Sequence, residues 1–504
     1  MLAAQIALSL TLSAVAISSE STPSIPHPSK PNIIVIYADD LGYGDVGCYG
    51  AKRIPTPNID RLASAGQRFT NGYATSATCT PSRYALLTGE YPWRVGARIL
   101  SGEAGLIVKT GRATLPSILR SAGYRTAAIG KWHLGLGEGQ NDWNKPLKPG
   151  PLELGYDYSF LMAATMDRVP CVYVRGHDVV GLDPADPIQI SYKTPFVGEL
   201  IGRSSPPESM RMLFSRGHDG AIINGIPRIG YMHGGKAASW VDEDMADVYN
   251  REAITFMEAN KGRPFFIYLG HSDPHVPRLP NKRFVGATTL GPRGDSIVQF
   301  DWSVGEIMSN LKRLGLDRNT MVILTSDNGP VLDDGYKDGA KEMNGDHTPW
   351  GPLQGGKYSN YEAGTRVPFI VHWPARVKAG VSDALVSQID FAASFAALTG
   401  CQLKQEDVPD SFNVLPALLG ESPTGRDYLI TDAGCLGVRQ GNWKYIESSS
   451  GRDGKKKNET DSPMLFHLAT DLHEDTNIAA QHPDQVKVMS ALIDHAKKAT
   501  YTRP

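Results

Sequence analysis

The stretch Asn32-Ile-Ile-Val-Ile-Tyr-Ala38 is an apolar run that ends directly in Asp39-Asp40. A run that is apolar at nearly every position indicates a strand covered on both faces, as in a parallel sheet. Three further runs share this design, each apolar and each leading into polar, reactive residues. They are 126–129 before Gly130-Lys-Trp-His133, 264–269 before His271-Ser-Asp-Pro-His275, and 321–326 before Asp327-Asn-Gly329.

Helical signals lie between these runs. The segment 56–65 has Pro57 near its start and Gly66 after its end, which is the usual asymmetry of helix termini. The segments 114–122 and 301–314 are likewise followed by a glycine. Alternating strands and helices predict an α/β fold with a large, mainly parallel, doubly wound sheet flanked by helices. In such sheets ligands bind beyond the carboxyl ends of the strands, which is where the reactive residues fall.

The pattern changes after about Gly420. Short stretches suited to strands occur at 427–431, 436–439, 443–446 and 464–468, with a polar loop at 455–462 and a helical pattern at about 483–498. These features predict a small antiparallel sheet with one helix. We therefore expect two domains, a catalytic domain at 31–420 and a smaller C-terminal subdomain at 421–504.

The N-terminal segment 1–19 has an apolar centre followed by small residues around Ala14-Val-Ala16, the pattern of a secretory signal peptide. The residues before the apolar centre lack the usual Lys or Arg, and a buried N-terminal helix is the alternative interpretation. Residues 20–30 are rich in Ser and Pro, which is typical of a linker. We expect an exported protein, periplasmic or secreted.

Composition argues against binding to nucleic acids or membrane surfaces. The 504 residues include 51 Lys and Arg against 53 Asp and Glu, a formal net charge of −2. Beyond the N-terminal segment, no run reaches the roughly 18 apolar residues that a membrane-spanning helix needs. We expect neither a nucleic-acid partner nor a membrane span, and the sequence leaves the oligomeric state open.

Acidic and amide side chains follow two of the predicted strands. Asp39 and Asp40 follow the first strand, and Asp327 and Asn328 follow the last. Hard oxygen ligands of this kind suit Ca²⁺ or Mg²⁺ rather than zinc, which prefers His and Cys. Helix capping or turn formation is the alternative for each residue taken singly. The two pairs together predict a divalent cation, whereas Asp45 is expected to hold its own loop.

Four motifs resemble one enzyme family. The stretch Cys79-Thr-Pro-Ser-Arg83, followed by Thr88-Gly89, fits C-x-P-S-R-x-x-x-x-T-G and resembles the signature of the type I sulfatases. Gly123-Tyr-Arg-Thr-Ala-Ala-Ile-Gly-Lys131-Trp-His133 resembles the second signature of that family. Two further stretches also resemble segments of that family. They are Pro274-His275-Val-Pro277, and Gly355-Gly-Lys357 followed by Tyr361-Glu-Ala-Gly-Thr-Arg-Val-Pro368. A lone cysteine is more often an inert buried thiol, but the four motifs in series argue against that interpretation.

The resemblance implies an alkaline-phosphatase-like fold and a particular chemistry at residue 79. In the family, a maturation enzyme oxidises the motif cysteine to Cα-formylglycine, an aldehyde whose hydrate is the nucleophile and a metal ligand. In this chain that residue is Cys79. The other implied metal ligands are Asp39, Asp40, Asp327 and Asn328. Calcium is the expected ion, with magnesium as the alternative.

The resemblance also implies roles for five basic side chains. Arg83 orients the hydrate, Lys131 and Lys357 bind the sulfate group, His133 acts as a base, and His275 protonates the leaving oxygen. A count of charges fits an anionic substrate, because three carboxylates balance three cations and a divalent metal then leaves about two positive charges.

The substrate is suggested by the segment between residues 160 and 240, where the chain departs from simple arylsulfatases. There it resembles exported sulfatases that act on sulfated galactose or N-acetylgalactosamine in polysaccharides. The candidate sugar contacts are Thr165, Asp167, Arg168 and His218, although for His218 the capping of a loop is an equal alternative. The expected partners are thus a sulfated carbohydrate and the maturation enzyme.

Two other functions compete with a sugar sulfatase. Phosphonate or phosphodiester hydrolases of the same superfamily share the metal-binding residues and can share the formylglycine. A non-catalytic glycan-binding relative is the other alternative, and the reactive residues that this chain retains argue against it.

Overall fold

The computed structural model describes residues 30–448 and 462–504. The predicted signal peptide, all of the predicted linker except Lys30, and all of the polar loop predicted at 455–462 except Ser462 lie outside these residues. Within the described ranges, no helix is both long enough and apolar enough to cross a membrane.

Strands and helices are numbered here in chain order. The strands are β1 (Asn32–Ala38), β2 (Gln67–Phe69), β3 (Gly72–Tyr73), β4 (Arg125–Lys131), β5 (Tyr158–Met162), β6 (Tyr173–Arg175), β7 (Asp178–Val179), β8 (Gln189–Ser191), β9 (Ile222–Ile223), β10 (Ile226–Pro227), β11 (Tyr231–His233), β12 (Phe265–Gly270), β13 (Thr320–Ser326), β14 (Ile370–His372), β15 (Gly380–Ser382), β16 (Val386–Ser387), β17 (Tyr428–Asp432), β18 (Leu436–Gln440), β19 (Trp443–Ile446) and β20 (Met464–His467). The helices are α1 (Pro57–Ser64), α2 (Cys79–Thr88), α3 (Leu115–Ser121), α4 (Met245–Asn260), α5 (Gly291–Arg313), α6 (Glu362–Thr365), α7 (Phe391–Thr399), α8 (Leu415–Leu418) and α9 (Pro483–Lys498).

A mixed sheet forms the centre of the large region. Its strand order is β15-β2-β14-β13-β1-β12-β4-β5-β6-β7. The five central strands, β13 to β5 in that order, run parallel, and antiparallel pairing begins at β14 on one side and β6 on the other. Helices pack against it, for example α4 on β4 and β12 and α3 on β4. The predicted doubly wound α/β fold is confirmed.

The four apolar runs found in the sequence become four adjacent strands, β13-β1-β12-β4. Every residue of β1 is buried, as expected for a strand with neighbours on both sides and layers on both faces. Because the four strands are parallel, their carboxyl ends lie at one edge of the sheet. The polar residues that follow them are therefore brought together.

One predicted helix was too short. The helix predicted at 301–314 is α5, which begins ten residues earlier, at Gly291. Its first residues include two glycines and a proline, which on sequence grounds are typical of a loop. Proline is tolerated in the first turn of a helix. Gly294 is required by space, because a Cβ there would lie 2.3 Å from Thr288 Oγ1.

The C-terminal region contains the predicted antiparallel sheet, in the order β17-β18-β19-β20, with α9 packed against β18 and β19. Its apolar residues share a core with residues of the large region, among them Tyr73, Ala85 and Tyr91. The division of the chain at residue 420 remains a prediction.

Candidate active site

The site lies at the carboxyl edge of the sheet. Asp39 and Asp40 follow β1, and Asp327 and Asn328 follow β13. The two pairs are in direct contact, because the Asn328 amide donates to Asp40 Oδ1 (2.7 Å) and the Asp40 backbone N–H donates to Asp327 Oδ1 (3.2 Å). Asp40 has a φ of 64°, a conformation that Asp adopts more readily than most residues. The edge of the sheet thus presents four oxygen-bearing side chains at one point.

Helix α2 brings Cys79 and Arg83 to the same place. Cys79 is the first residue of α2 and is 1% exposed, and Arg83 follows one turn later. The Arg83 guanidinium donates to Asp327 Oδ2 through Nε (3.0 Å) and Nη2 (2.7 Å), and to the Tyr268 hydroxyl (2.6 Å). These bonds fix α2 against the ends of β12 and β13. The T-G end of the motif is the end of the helix, where Gly89 adopts a positive φ of 60°.

The Cys79 thiol lies in surroundings that keep it protonated. Burial raises the pKa of this thiol to about 12, against the opposing effect of the nearby Lys131 and Lys357 ammonium groups. A thiol in this state is a poor nucleophile, since the thiolate is the reactive form.

Two buried lysines pair with the carboxylates that follow β1 and β13. Lys131 Nζ donates to Asp39 Oδ2 (2.5 Å) and lies 3.8 Å from Asp327 Oδ2. Lys357 Nζ donates to Asp40 Oδ2 (2.9 Å). Although burial opposes ionisation, Arg83 and Lys131 lower the pKa of Asp327 to about 2. The pKa of Asp39 is instead raised well above its usual range by burial and by the charge of Asp327.

The residues fit a divalent cation. One ligand atom from each of Asp39, Asp40, Cys79 and His275 lies within 4.8 Å of the others. Asp39 Oδ1 and Asn328 Oδ1 are buried and accept no hydrogen bond from the part of the chain that the structure describes. An unsatisfied buried polar atom costs about 1–3 kcal/mol, which metal coordination would remove. Asp39, Asp40 and Asn328 supply oxygen donors, which Ca²⁺ and Mg²⁺ prefer, while Cys79 and His275 supply one sulfur and one nitrogen.

Two histidines of the site, His133 and His275, are both neutral. His133 Nε2 donates to Leu100 O (3.0 Å), and its Nδ1 has no partner within residues 30–448 and 462–504. Its pKa is lowered by burial and then by Lys131. His275 Nδ1 donates to Val276 O (2.6 Å), and burial together with Lys357 lowers the pKa of this ring. In this state His275 Nε2 is an acceptor, so donation to a leaving group requires a proton at Nε2.

The charged residue Asp334 also belongs to the site, although no sequence pattern predicts it. Its Oδ2 accepts from Lys357 Nζ (2.8 Å) and its Oδ1 accepts from the Tyr358 hydroxyl (3.0 Å). Asp334 lies in a loop after β13, away from any strand end, so no pattern marked it. It changes the charge count: four carboxylates face three cations, and a divalent metal leaves about one positive charge rather than two.

The four candidate sugar contacts form one cluster. Asp167 accepts from Arg168 Nη1 (3.0 Å) and His218 Nε2 (2.8 Å), and Arg168 also donates to Thr165 Oγ1 (2.7 Å). His218 Nδ1 faces Arg216 O (2.8 Å), so both ring nitrogens face oxygen acceptors and the ring is held as a cation. The hydrogen bond and charge of Asp167 raise the pKa of His218 against the effect of burial. Arg168 helps to lower the pKa of His133, so the cluster adjoins the metal site.

A cleft of about 1220 Å³ adjoins this site, and Lys357 and Asp334 line it. Its walls include Pro81, Lys357, Trp93 and Trp350. Residues 432–434, at the turn between β17 and β18, complete one wall. The C-terminal sheet therefore helps to shape the entrance to the site.

Asp45 lies beside the site and has the structural position expected of it. Its carboxylate accepts from the Gly42 backbone N–H (2.7 Å), from the Arg293 guanidinium (2.6 and 2.8 Å) and from His347 Nε2 (2.9 Å). These bonds tie the loop after Asp40 to α5 and to the loop at residue 347.

This combination of fold and site is that of the sulfatases, and comparison with known proteins agrees: the profile of the Sulfatase family matches residues 31–401. The chain belongs to the sulfatase family and is a sulfuric ester hydrolase.

Among curated relatives, the chain is 50% identical over 477 residues to the N-acetylgalactosamine-6-O-sulfatase of Bacteroides thetaiotaomicron, with 93% of both chains covered. It is 31% identical to human arylsulfatase A, covering 92% of this chain and 87% of that protein.

Solved structures show the same relationship. A sulfatase from the glycosaminoglycan metabolism of Bacteroides thetaiotaomicron superimposes with a TM-score of 0.91 at 49% identity, covering 94% of this chain and all of that one. The structure of i-CgsB in complex with k-i-k-neocarrahexaose gives a TM-score of 0.68 at 26% identity, with 93% of both chains covered.

Proposed function

We propose that the protein removes the 6-O-sulfate from an N-acetylgalactosamine or galactose unit of a sulfated polysaccharide. The observation that carries the proposal is the gathering of Asp39, Asp40, Cys79 and His275 ligand atoms within 4.8 Å, beside two buried lysines. The choice of sugar and position is supported by the 50% identical relative from Bacteroides thetaiotaomicron, an N-acetylgalactosamine-6-O-sulfatase.

The nucleophile and the metal are part of the proposal. Formylglycine made from Cys79 supplies a geminal diol as nucleophile, and a divalent cation, calcium in the first place and magnesium as the alternative, supplies positive charge for the sulfate oxygens. The chain would hold the cation with Asp39, Asp40, Asp327 and Asn328 together with residue 79. Because the thiol is only 1% exposed in the folded chain, the maturation enzyme must act before folding is complete.

The contacts of the side chains around residue 79 support a role for each of them in the proposed reaction. Lys131 and Lys357 would bind and polarise the sulfate oxygens, and Arg83 keeps Asp327 ionised and in place. His133 is the proposed base, since its neutral ring leaves Nδ1 free of any partner in the described chain. His275 is the proposed donor to the leaving oxygen, a role it fulfils when Nε2 carries a proton.

The cluster of Thr165, Asp167, Arg168 and His218 is the proposed contact for the sugar. Its members carry both donors and acceptors, and Asp167 and the His218 cation are held rigidly by each other. A preorganised charged pair of this kind discriminates between hydroxyl positions better than a flexible side chain does.

Export of the protein is also a proposal, resting on the sequence of residues 1–19. Expression with and without this segment tests it: N-terminal sequencing of protein from the periplasm or medium should start near residue 20. Intact chains that begin at Met1 in the cytoplasm would contradict export.

The formylglycine mechanism has a direct test. The peptide that contains residue 79 should be lighter by roughly 18 Da than its cysteine form, which is the mass change of thiol-to-aldehyde conversion. Cys79→Ala should lower sulfate release from N-acetylgalactosamine 6-sulfate by at least about 1000-fold. The partly exposed Cys48 provides the matched control Cys48→Ala, which should retain activity.

Undiminished sulfate release by Cys79→Ala would refute the mechanism. Comparing the 6-sulfate with the 4-sulfate and with a phosphodiester tests the substrate. Faster turnover of the phosphodiester would favour the phosphodiester hydrolase alternative.

A further inference from the structure

We propose that Asp334 is a specificity-determining residue whose carboxylate accepts a hydrogen bond from a hydroxyl group of the sulfated sugar. The inference rests on the proposed function, because it assumes that a sugar sulfate occupies the cleft. It adds to that function a sugar contact at Asp334, which lies beside the proposed sulfate-binding residue Lys357 and outside the proposed sugar-binding cluster.

Asp334 lies between two parts of the site. On one side its Oδ2 accepts from Lys357 Nζ (2.8 Å), and Lys357 in turn donates to Asp40 Oδ2 (2.9 Å). The next residue, Gly335, lies against the His218 ring. A Cβ added at residue 335 would lie only 1.9 Å from His218 Nδ1. Asp334 is thus bonded to Lys357 and adjoins the residue that packs on His218.

The loop that carries Asp334 is held in position. The Ser215 backbone N–H donates a hydrogen bond to Gly335 O (2.8 Å), and the Lys337 backbone N–H donates one to Leu213 O (2.7 Å). The Tyr336 ring packs on His218 with centroids 4.6 Å apart. The segment that carries Asp334 is therefore tied to the sugar-binding cluster, and its carboxylate is preorganised as a binding group should be.

The carboxylate retains acceptor capacity. An ionised carboxylate offers about four acceptor sites, and Lys357 Nζ and the Tyr358 hydroxyl occupy two of them. The Asp334 side chain is 13% exposed and lines the cleft, so it is reachable from the side where the substrate enters. A hydroxyl group of a bound sugar is a suitable donor for these remaining sites.

Charge explains why such a contact would select for sugars. A carboxylate beside Lys357 weakens the attraction of the site for any sulfate group, by repulsion at short range. A substrate that donates a hydroxyl hydrogen to Asp334 recovers part of this loss, whereas an aryl sulfate or a free sulfate ion cannot. The geometry therefore favours a polyhydroxylated ester over other sulfate esters.

The test compares two substrates in the matured, full-length enzyme. Asp334→Ala should lower the ratio of kcat/KM for N-acetylgalactosamine 6-sulfate to kcat/KM for 4-methylumbelliferyl sulfate by about 10- to 100-fold, the value of a hydrogen bond to a charged group. Asp346→Ala is the matched control: its exposed carboxylate pairs with Arg53 and with no residue of the site, so the ratio should stay at the wild-type value.

A second measurement is independent of turnover. In a Cys79→Ala background, calorimetry should show that Asp334→Ala weakens the binding of N-acetylgalactosamine 6-sulfate by about 10-fold or more and does not weaken that of inorganic sulfate. If Asp334 served only to hold Lys357, both ligands would bind more weakly together, and the inference would be overturned. An unchanged substrate ratio would overturn it as well. Failure of the wild-type enzyme to release sulfate from the sugar would instead count against the proposed function.

Discussion

Gly335 shows how a single residue without a side chain shapes the site. Its φ is 109°, a conformation that residues with a Cβ rarely adopt, and its missing side chain leaves the space that the His218 ring occupies. The ring in turn reaches Asp167 (2.8 Å), one of the proposed sugar contacts. The glycine therefore sets the position of a charged pair that is distant in sequence.

Gly335→Ala should displace His218 from Asp167 and lower kcat/KM for the sulfated sugar by about 10-fold or more. The matched control is Gly339→Ala in the same loop. Gly339 also has a positive φ (75°), but the nearest atom to its added Cβ would be Met343 Sδ, at 3.2 Å. Both variants bear a strain of about 1–3 kcal/mol, measurable by thermal unfolding, and only the first should lose activity toward the sugar. Equal loss of activity in both would show that loop strain, not His218, is responsible.

At the scale of the elements, Arg278 joins the loops that follow β12 and β13. Its Nε donates to Pro274 O (3.0 Å), next to His275. Its terminal nitrogens donate to Val331 O (2.7 Å), Leu332 O (2.9 Å) and Asp338 Oδ2 (2.8 Å). One buried guanidinium thus links the loop of the proposed leaving-group donor to the loop that carries Asp334.

Arg278→Lys should destabilise the protein by about 3 kcal/mol or more, because a lysine cannot reproduce the fork of donors and leaves buried carbonyl groups unpaired. Sulfate release should fall as well, since both loops lose their connection. The control is Arg313→Lys, at an exposed ion pair with Glu258, where the change should alter stability by less than about 1 kcal/mol. Denaturant titration and sulfate release measure both variants. If Arg278→Lys were as stable as the wild type, contacts other than those of Arg278 would hold the two loops.

The elements also show what the sequence predicts well. Four of the five parallel central strands are apolar runs that the sequence pattern marks, and the polar residues that follow these strands are adjacent because the strands are neighbours. Asp334 and Arg278 lie in irregular loops. Such loops have no repeating pattern of apolar residues from which the place of a side chain in the fold could be predicted. The beginning of α5 was missed because Gly291 and Gly294 are typical of loops, while tertiary packing determines their conformation.

At the scale of the whole molecule, a buried group of charges joins the C-terminal sheet to the large region. Glu362, at the start of α6, accepts from Lys444 of β19 (2.9 Å) and lies 3.5 Å from Arg439 of β18. Its backbone N–H donates to Glu474 Oε2 (2.6 Å). Burial, together with the charge of Glu362, raises the pKa of Glu474 to about 7.

This shift makes stability depend on pH. Between the unfolded pKa of about 4.3 and the folded value, the native state binds more protons than the unfolded chain, so Glu474 lowers the unfolding free energy as the pH rises through that range. Glu474→Gln should therefore flatten the decline in stability between pH 5 and pH 8. Denaturant titration at pH 5 and pH 8 measures the unfolding free energy of each variant. Glu421→Gln, at an exposed ion pair with Arg376, is the control and should decline as the wild type does. Parallel profiles for Glu474→Gln and the wild type would contradict the prediction.

The turn between β17 and β18 forms part of the cleft wall, yet it belongs to the C-terminal sheet rather than to the strand ends that bear the reactive groups. Hairpin turns accept insertions at little cost to the fold. Lengthening this turn would narrow the entrance and exclude branched or longer glycans while leaving the hydrolytic groups untouched. Glycan length could thus be tuned by exchanging one turn, a change that enzyme engineering can make without altering the chemistry.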